Sequence, residues 1–283
     1  AVDALLHARS IYIIGMRSSS PLAEFLNYYL NFMFENVHRI RTTSGSEIFE
    51  QLMRIGEDKR HDNEERRKFL NAADIVFLCL PDAGAREAVS LIDNPNVRVI
   101  DASTAHRTAD GWTYGFPELA GQREKIRNSN RIANPGCHAS GFIALVAPLV
   151  QKGIVPADAL LTCFSLTGYS GGGKKMIAEY EEEGRSDLLK GPRQYALTQQ
   201  HKHLKEMAKL CGLENAPVFC PIVGDFYSGM EVTVSLFASQ INGSIDDIRR
   251  IYADYYQNGL VRADDAADAD GKMMFTMKVV GRD

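Results

Sequence analysis

The sequence lacks any apolar run that approaches the length of a membrane-spanning helix. Such a helix needs about 20 consecutive apolar residues, and no stretch of the 283-residue chain comes close to this. The first nine residues also lack a basic segment followed by an apolar core, so we expect no signal peptide and a cytoplasmic protein. An excess of positive charge is absent too, since the net charge is −4 with both signs interspersed. Nucleic acid and membranes are therefore not expected partners.

Paired cysteine motifs are also missing. The chain has five cysteines, at positions 79, 137, 163, 211 and 220, and none of them forms a C-x-x-C pair. An odd, scattered set argues against a disulfide framework and against structural zinc. We therefore expect reduced thiols and no bound metal.

Buried strands alternate with helices in the first half of the chain. Short apolar runs at 10–14, 74–81 and 98–101 predict strands, and residues 21–34 and 83–92 have the spacing of helices. This alternation predicts an α/β fold with a parallel sheet covered on both faces. Ligands of such sheets bind beyond the carboxyl ends of the strands.

The second half of the chain has a different character. Residues 160–166 and 231–237 look like strands of another sheet, and 245–256 looks like a helix. We therefore predict a nucleotide-binding domain over residues 1–136 and a catalytic or substrate domain over residues 137–283.

Cys137 is placed where a turn gives way to an apolar helix. Pro135 and Gly136 form the turn, and residues 142–146 continue as a buried helical segment. A thiol on the first helical turn faces unpaired N–H groups and the positive end of the helix dipole, which favour the thiolate and could hold an oxyanion. Cys137 is therefore a candidate nucleophile, although a small buried residue at a helix start would have the same sequence.

Four other stretches carry groups that suit chemistry. Asp101–Arg107 and Thr167–Lys175 follow predicted strands, and the second combines glycines, hydroxyls and lysines that could hold an anion. His201–Met207 offers two histidines, and Glu206 could orient one of them. Gly224–Met230 places polar groups between glycines. Each stretch alone would also fit an ordinary turn or surface, and none has the ligand spacing of a zinc site.

Taken together and in order, these segments resemble the short form of the N-acetyl-γ-glutamyl-phosphate reductase family. The resemblance covers about residues 70–262. The segments that carry it are Asp101–Arg107, Gly115–Leu119, Asn134–Gly141, Ser165–Lys175, His201–Met207 and Gly224–Val232. It implies a Rossmann-like nucleotide domain with a parallel sheet and an α+β catalytic domain of the glyceraldehyde-phosphate dehydrogenase type. It also implies a homo-oligomer.

The resemblance also implies a reaction. Cys137 would attack an acyl phosphate to give a thioester, which NADPH would reduce to N-acetylglutamate semialdehyde. The acid/base would be His203, with His201 as the alternative. The residues implicated in cofactor binding, through the sheet rim or the glycine loop, are Gly15, Ser18, Ser20, Leu80, Pro81, Ser103, Gly171 and Gly172. Those implicated in substrate binding are Asn134, Ser170, Arg107 and Lys174.

The first loop departs from the family pattern. After Gly15 it has serines at 18, 19 and 20, where a dinucleotide cradle needs glycines. Residues 4–56 instead resemble the start of a sugar-isomerase phosphosugar-binding domain, which would make the chain a chimera. The alternatives are therefore a phosphosugar-binding or inactive reductase-like protein, and an aspartate-semialdehyde dehydrogenase, which shares the thiol chemistry.

Overall fold

The computed structural model describes residues 11–14, 26–27, 30, 37–40, 55, 57–257 and 259–263. No helix within these ranges is long and apolar enough to cross a membrane. The strands there are β1 (Ile11–Ile14), β2 (Val37–Ile40), β3 (Ile75–Leu78), β4 (Arg98–Asp101), β5 (Thr113–Tyr114), β6 (Arg131–Ala133), β7 (Thr162–Gly168), β8 (Arg193–Gln194), β9 (Val218–Gly224) and β10 (Met230–Thr233). The α-helices are α1 (Asn63–Ala72), α2 (Asp82–Ser90), α3 (Gln122–Asn128), α4 (Cys137–Gln151), α5 (Gly173–Glu181), α6 (His203–Cys211) and α7 (Ile245–Tyr255).

The chain divides into two compact units. The first contains residues 1–106, 111–113 and 127–133, and the second contains the remainder. The sequence predicts one boundary near residue 136, whereas the structure assigns segments 107–110 and 114–126 to the second unit. Arg107 thus belongs to the unit that contains Cys137.

The first unit has the predicted parallel sheet. The strand order is β3-β4-β6-β5, and β3 pairs in parallel with β4, as β4 does with β6. The strands β1 and β2 form a further parallel pair. Apolar side chains of this sheet and of α2 form one core, which includes Val76, Leu78, Ala85, Ala88, Val97 and Val99. The α/β prediction is confirmed here, while most of the predicted helix at 21–34 lies outside the described residues.

The second unit has a mixed sheet with the order β10-β7-β9-β8. Its two longest strands, β7 and β9, are parallel, and the outer two pair with them in the antiparallel sense. Residues alternate between the two faces of a strand. One face packs against α4 and α6, and the buried side chains of this core include Phe142, Ile143, Val146, Cys163, Met207 and Phe219.

The helix α4 tolerates a proline because a tyrosine replaces the missing hydrogen bond. Pro148 has no N–H, so the carbonyl of Ala144 loses its normal partner one turn later. The hydroxyl of Tyr256 donates to this carbonyl at 2.6 Å, and that of Tyr252 donates to the next one, at Leu145. These bonds fix α7 against the helix that begins at Cys137.

Candidate active site

Cys137 is the first residue of α4, and its side chain is exposed. Gly136 is the N-cap residue with an extended backbone, and no side chain caps this end of the helix. Ser140 bonds back to the turn, since its N–H and its hydroxyl both donate to the Gly136 carbonyl, at 2.8 and 2.9 Å. The N–H groups of the first turn therefore remain available beside the thiol.

The pKa of the Cys137 thiol is raised above its ordinary value. Desolvation is the largest cause, and it outweighs the backbone N–H groups of Cys137 and His138 and the charge of Arg107, all of which lower the pKa. The N–H donors of the helix start lower the pKa, in the predicted direction, and desolvation has the larger effect. The thiol consequently needs a base to accept its proton.

Glu206 joins several parts of the site. The residue is 1% exposed, and its carboxylate accepts three hydrogen bonds. The donors are Arg107 Nη1 at 3.0 Å, the Tyr114 hydroxyl at 2.8 Å and the Gly136 N–H at 2.9 Å. Burial and the Glu206 charge raise the pKa of Tyr114, which therefore keeps its proton. This carboxylate thus ties the turn before Cys137 to Arg107 and to α6.

Gly136 is required by close packing. A β-carbon at this position would overlap the imidazole of His203 and the guanidinium of Arg107. Both side chains therefore lie directly against the turn that presents Cys137. The structure brings together the predicted nucleophile, the predicted acid/base and one predicted substrate residue.

The two predicted histidines are adjacent and uncharged. His203 is 8% exposed, and burial together with neighbouring positive groups lowers its pKa to about 3. Burial lowers the pKa of His201 as well, and its Nδ1 accepts from the His203 N–H. Among the described residues no atom hydrogen-bonds His203 Nδ1, and its Nε2 lies 4.0 Å from Glu206 Oε1. His203 can therefore accept a proton.

A third histidine was missed by sequence reasoning. His138 is 3% exposed, and both of its ring nitrogens have partners. Nδ1 lies 2.6 Å from the hydroxyl of Ser165, and Nε2 lies 2.7 Å from that of Tyr195. Its position next to Cys137 was the available signal, but nothing in the sequence indicates the contact with Tyr195.

The glycine loop forms a separate turn between β7 and α5. The N–H of Ser170 donates to the Tyr227 carbonyl, and Gly171 and Gly172 belong to a short 3₁₀ helix at the surface. Lys174 is exposed in the first turn of α5. Asn134 is likewise exposed, three residues before Cys137.

Three predicted cofactor residues lie at the sheet rim of the first unit. Leu80 and Pro81 are exposed after the carboxyl end of β3, and Pro81 is the N-cap residue of α2. Ser103 is buried, and its hydroxyl donates to Asp101 Oδ2 at 2.8 Å. Its side chain therefore fixes the turn after β4. The other predicted residues of this rim, Gly15, Ser18 and Ser20, lie outside the described residues.

The same turn holds an aspartate–histidine pair. The carboxylate of Asp101 is fully buried, and its Oδ2 lies 2.6 Å from His106 Nδ1. The ring of His106 stacks on Trp112 with centroids 4.1 Å apart. Over the part of the chain that the structure describes, no group of three or more His, Cys, Asp or Glu side chains is arranged to hold a metal ion.

Comparison with protein families assigns both halves of the chain. A model described as semialdehyde dehydrogenase, NAD binding domain, matches residues 12–129. A second, described as semialdehyde dehydrogenase, dimerisation domain, matches residues 137–280. The first of these includes most of the segment 4–56, and no comparison supports a sugar-isomerase domain or a chimera.

Curated relatives and solved structures agree with this assignment. N-acetyl-gamma-glutamyl-phosphate reductase 2 of Nostoc sp. is 46% identical over 216 residues, which are 73% of this chain and 66% of that protein. The chain thus spans just under two thirds of that relative's length. The reductase of Sinorhizobium medicae is 44% identical over 223 residues, 77% of this chain and 72% of that protein.

A solved structure shows the same fold at low sequence identity. Aspartate semialdehyde dehydrogenase from Francisella tularensis has a TM-score of 0.58 and 12% identity, covering 88% of this chain and 81% of that one. The two family models together match most of the sequence, and the relatives exceed 40% identity. The chain therefore belongs to the semialdehyde dehydrogenase family, and its relatives there include N-acetyl-gamma-glutamyl-phosphate reductases.

Proposed function

We propose that the chain catalyses the NADPH-dependent reduction of N-acetyl-γ-glutamyl phosphate to N-acetylglutamate semialdehyde, a step of arginine biosynthesis. The observation that carries this proposal is the cluster around Cys137, in which an exposed thiol at an uncapped helix start lies with Arg107, His203 and Glu206. The names of the curated relatives supply the substrate.

The first half of the reaction uses the protein's own side chains. Cys137 Sγ attacks the acyl carbon, and its proton passes to the neutral imidazole of His203. The carbonyl oxygen becomes an oxyanion, for which the N–H groups of the first turn of α4 are donors. As the carbonyl re-forms, the bond to phosphate breaks and a thioester remains on Cys137.

The second half returns the thiol. The nicotinamide cofactor, when bound, supplies a hydride to the thioester carbon. The resulting oxyanion is again opposite the N–H groups of α4. When it collapses to the aldehyde, the carbon–sulfur bond breaks, and the thiolate of Cys137 recovers its proton from His203. His201 is the alternative acid/base, but its Nδ1 already accepts the His203 N–H.

The described part of the rim suits a dinucleotide phosphate. The helix α2 begins at Asp82, beyond the carboxyl end of β3, and no side chain caps this end. Its first N–H groups can therefore donate hydrogen bonds to a bound anion. The carboxylate of Asp82 is held by the N–H and the hydroxyl of Thr104. In this proposal Leu80 and Pro81 border the cofactor, and Ser103 acts by shaping the next turn. Gly171 and Gly172 are further proposed cofactor-binding residues.

Substrate binding is proposed for the polar groups near the thiol and on the glycine loop. The positive charge of Arg107 lowers the pKa of the Cys137 thiol, so this side chain suits the anionic substrate. Asn134, Ser170 and Lys174 would supply the remaining polar contacts. A reactive thiol also needs a reducing compartment, and this favours the cytoplasm.

A comparison of two aldehydes tests the proposed function. We expect phosphate-dependent reduction of NADP with N-acetylglutamate semialdehyde, and a kcat/KM at least 100-fold lower with aspartate semialdehyde, because a site built for an acylated amine rejects the free ammonium. The reverse preference would contradict the proposal. Stabilisation by a sugar phosphate, without stabilisation by NADPH, in a thermal shift would contradict it as well.

We further propose that the outer face of the second sheet binds a second copy of the chain. The face opposite α4 and α6 carries Phe164 and Val218, which are 47% and 53% exposed. Leu166 pairs with Ile222 beside them, while polar Thr233 borders the patch. The dimerisation-domain description of the matched family supports a second copy as the occupant.

Light scattering tests this interface. Phe164→Glu places a charge within the apolar patch, so we expect the mass in solution to fall to that of one chain. Leu188→Glu is the matched control, because Leu188 is 86% exposed and lies outside the strands, in the short helix after α5. A monomeric parent, or an unchanged oligomer in Phe164→Glu, would contradict the proposal.

A further inference from the structure

The imidazole of His138 is held at both ends by hydroxyl groups. Ser165 lies on β7 and is 1% exposed, and Tyr195 follows β8 directly. The contacts of 2.6 Å at Nδ1 and 2.7 Å at Nε2 are short enough to fix the ring. Tyr195 is itself anchored, because its N–H donates to the Pro221 carbonyl at 3.0 Å.

The backbone carbonyl of Glu231, which can only accept, sets the direction of these hydrogen bonds. The Ser165 hydroxyl donates its proton to the Glu231 carbonyl at 3.1 Å. It must therefore accept at His138, so the proton of the neutral ring is on Nδ1. Nε2 is then an acceptor, and the Tyr195 hydroxyl is the donor. The chain of bonds runs from Tyr195 through His138 and Ser165 to the backbone of β10.

The held side chain belongs to the residue whose peptide faces the thiol. The N–H groups of His138 and of Cys137 itself are the two backbone donors that favour the Cys137 thiolate. A side chain fixed at both ends limits rotation of its own backbone. We infer that Tyr195 and Ser165 are positioning residues for Cys137, acting through His138 to keep its N–H directed at the sulfur.

The neutral state of His138 fits this role. Desolvation is the main cause that lowers its pKa to about 4, and the neighbouring His201 adds to it. The rings of His201, His203 and Phe219 pack around it with centroids 6.1, 5.5 and 5.3 Å away. The positive groups near this cluster are Arg107 and Lys202, and the nearby carboxylate is Glu206. His138 differs from His203 in that hydroxyl groups hold both of its ring nitrogens, so it orients the thiol and does not accept its proton.

Alkylation of Cys137 tests the inference without substrate or cofactor. The rate of reaction with iodoacetamide, followed at Cys137 by peptide mass spectrometry, is measured against pH in the full chain. For Tyr195→Phe and for Ser165→Ala we expect a higher apparent thiol pKa and a rate about 3- to 10-fold lower near pH 7, because one donor to the thiolate is misaligned. The control is Tyr255→Phe, which removes a hydroxyl that bonds Ala120 and Gln151, at the opposite end of α4 from Cys137.

A His138→Ala background shows whether both hydroxyls act through the imidazole. There, adding Tyr195→Phe or Ser165→Ala is expected to cause no further loss of alkylation rate. A full additional loss in that background, or a parent-like profile in both single variants, would overturn the inference.

A second readout rests on the proposed function. With acyl phosphate and NADPH we expect kcat to fall in Tyr195→Phe while KM for the acyl phosphate is unchanged, and a rise in KM alone would count against the inference. Absence of turnover in the parent would refute the proposed function, whereas the alkylation profiles would still decide the inference.

Discussion

Cys137→Ala is expected to lower kcat for N-acetyl-γ-glutamyl phosphate reduction by ~10⁴-fold or more, because removing a covalent nucleophile removes the reaction path itself. The exposed position of Cys137 means that the truncation leaves no internal cavity. We therefore expect an unchanged melting temperature and unchanged affinity for NADPH. Steady-state kinetics, with thermal unfolding of the same preparation, measure both effects.

Cys220→Ala is the matched control. Cys220 is a half-buried, free cysteine on β9, on the face opposite α4 and α6. Its loss should leave kcat within about twofold of the parent, since it lies on the face of the sheet opposite α4, the helix that begins at Cys137. If Cys137→Ala retained a comparable rate, the thiol mechanism would be refuted.

Glu206→Gln is expected to lower the free energy of unfolding by about 3–5 kcal/mol, because breaking a buried pair leaves one charge uncompensated. The partner left behind is Arg107, whose side chain is 9% exposed. The amide can accept the bonds from Tyr114 and Gly136, but its NH₂ group would face a second donor at Arg107. Urea unfolding measures the loss, and kcat should fall as well because the turn before Cys137 shifts.

Two further variants bracket this result. Tyr114→Phe removes a single neutral donor to the carboxylate, so a smaller loss of about 1–3 kcal/mol is expected. Glu179→Gln removes an exposed partner of Arg193 and should leave the urea midpoint unchanged. A midpoint for Glu206→Gln equal to that of Glu179→Gln would show that Glu206 does not hold the site together.

Much of the fold could be predicted because its signals are local. The apolar runs at 74–81 and 98–101 correctly predicted the strands β3 and β4. The helix predicted at 245–256 is α7, which begins with a capping box between Ser244 and Asp247. The turn at Pro135 and Gly136 likewise predicted the helix that starts at Cys137. Each of these depends on residues within a few positions of one another.

The contacts that complete the site depend on distant residues. Glu206 meets Tyr114 across 92 positions and Arg107 across 99, and His138 meets Tyr195 across 57. The spacing of residues along the sequence does not indicate contacts between such distant residues. The sequence therefore predicted for Glu206 only that it could orient one of the histidines of its own segment. The raised pKa of the Cys137 thiol also depends on distant residues, since the tertiary fold supplies the desolvation that outweighs the N–H groups of the helix start.

Intact-mass spectrometry after mixing the chain with N-acetyl-γ-glutamyl phosphate, without NADPH, tests the thioester most directly. We predict a mass increase of one N-acetylglutamyl group, located on Cys137 by peptide mapping, absent from Cys137→Ala and discharged when NADPH is added. An unmodified chain, or an acyl group on another residue, in a preparation that turns over the same substrate would contradict the account.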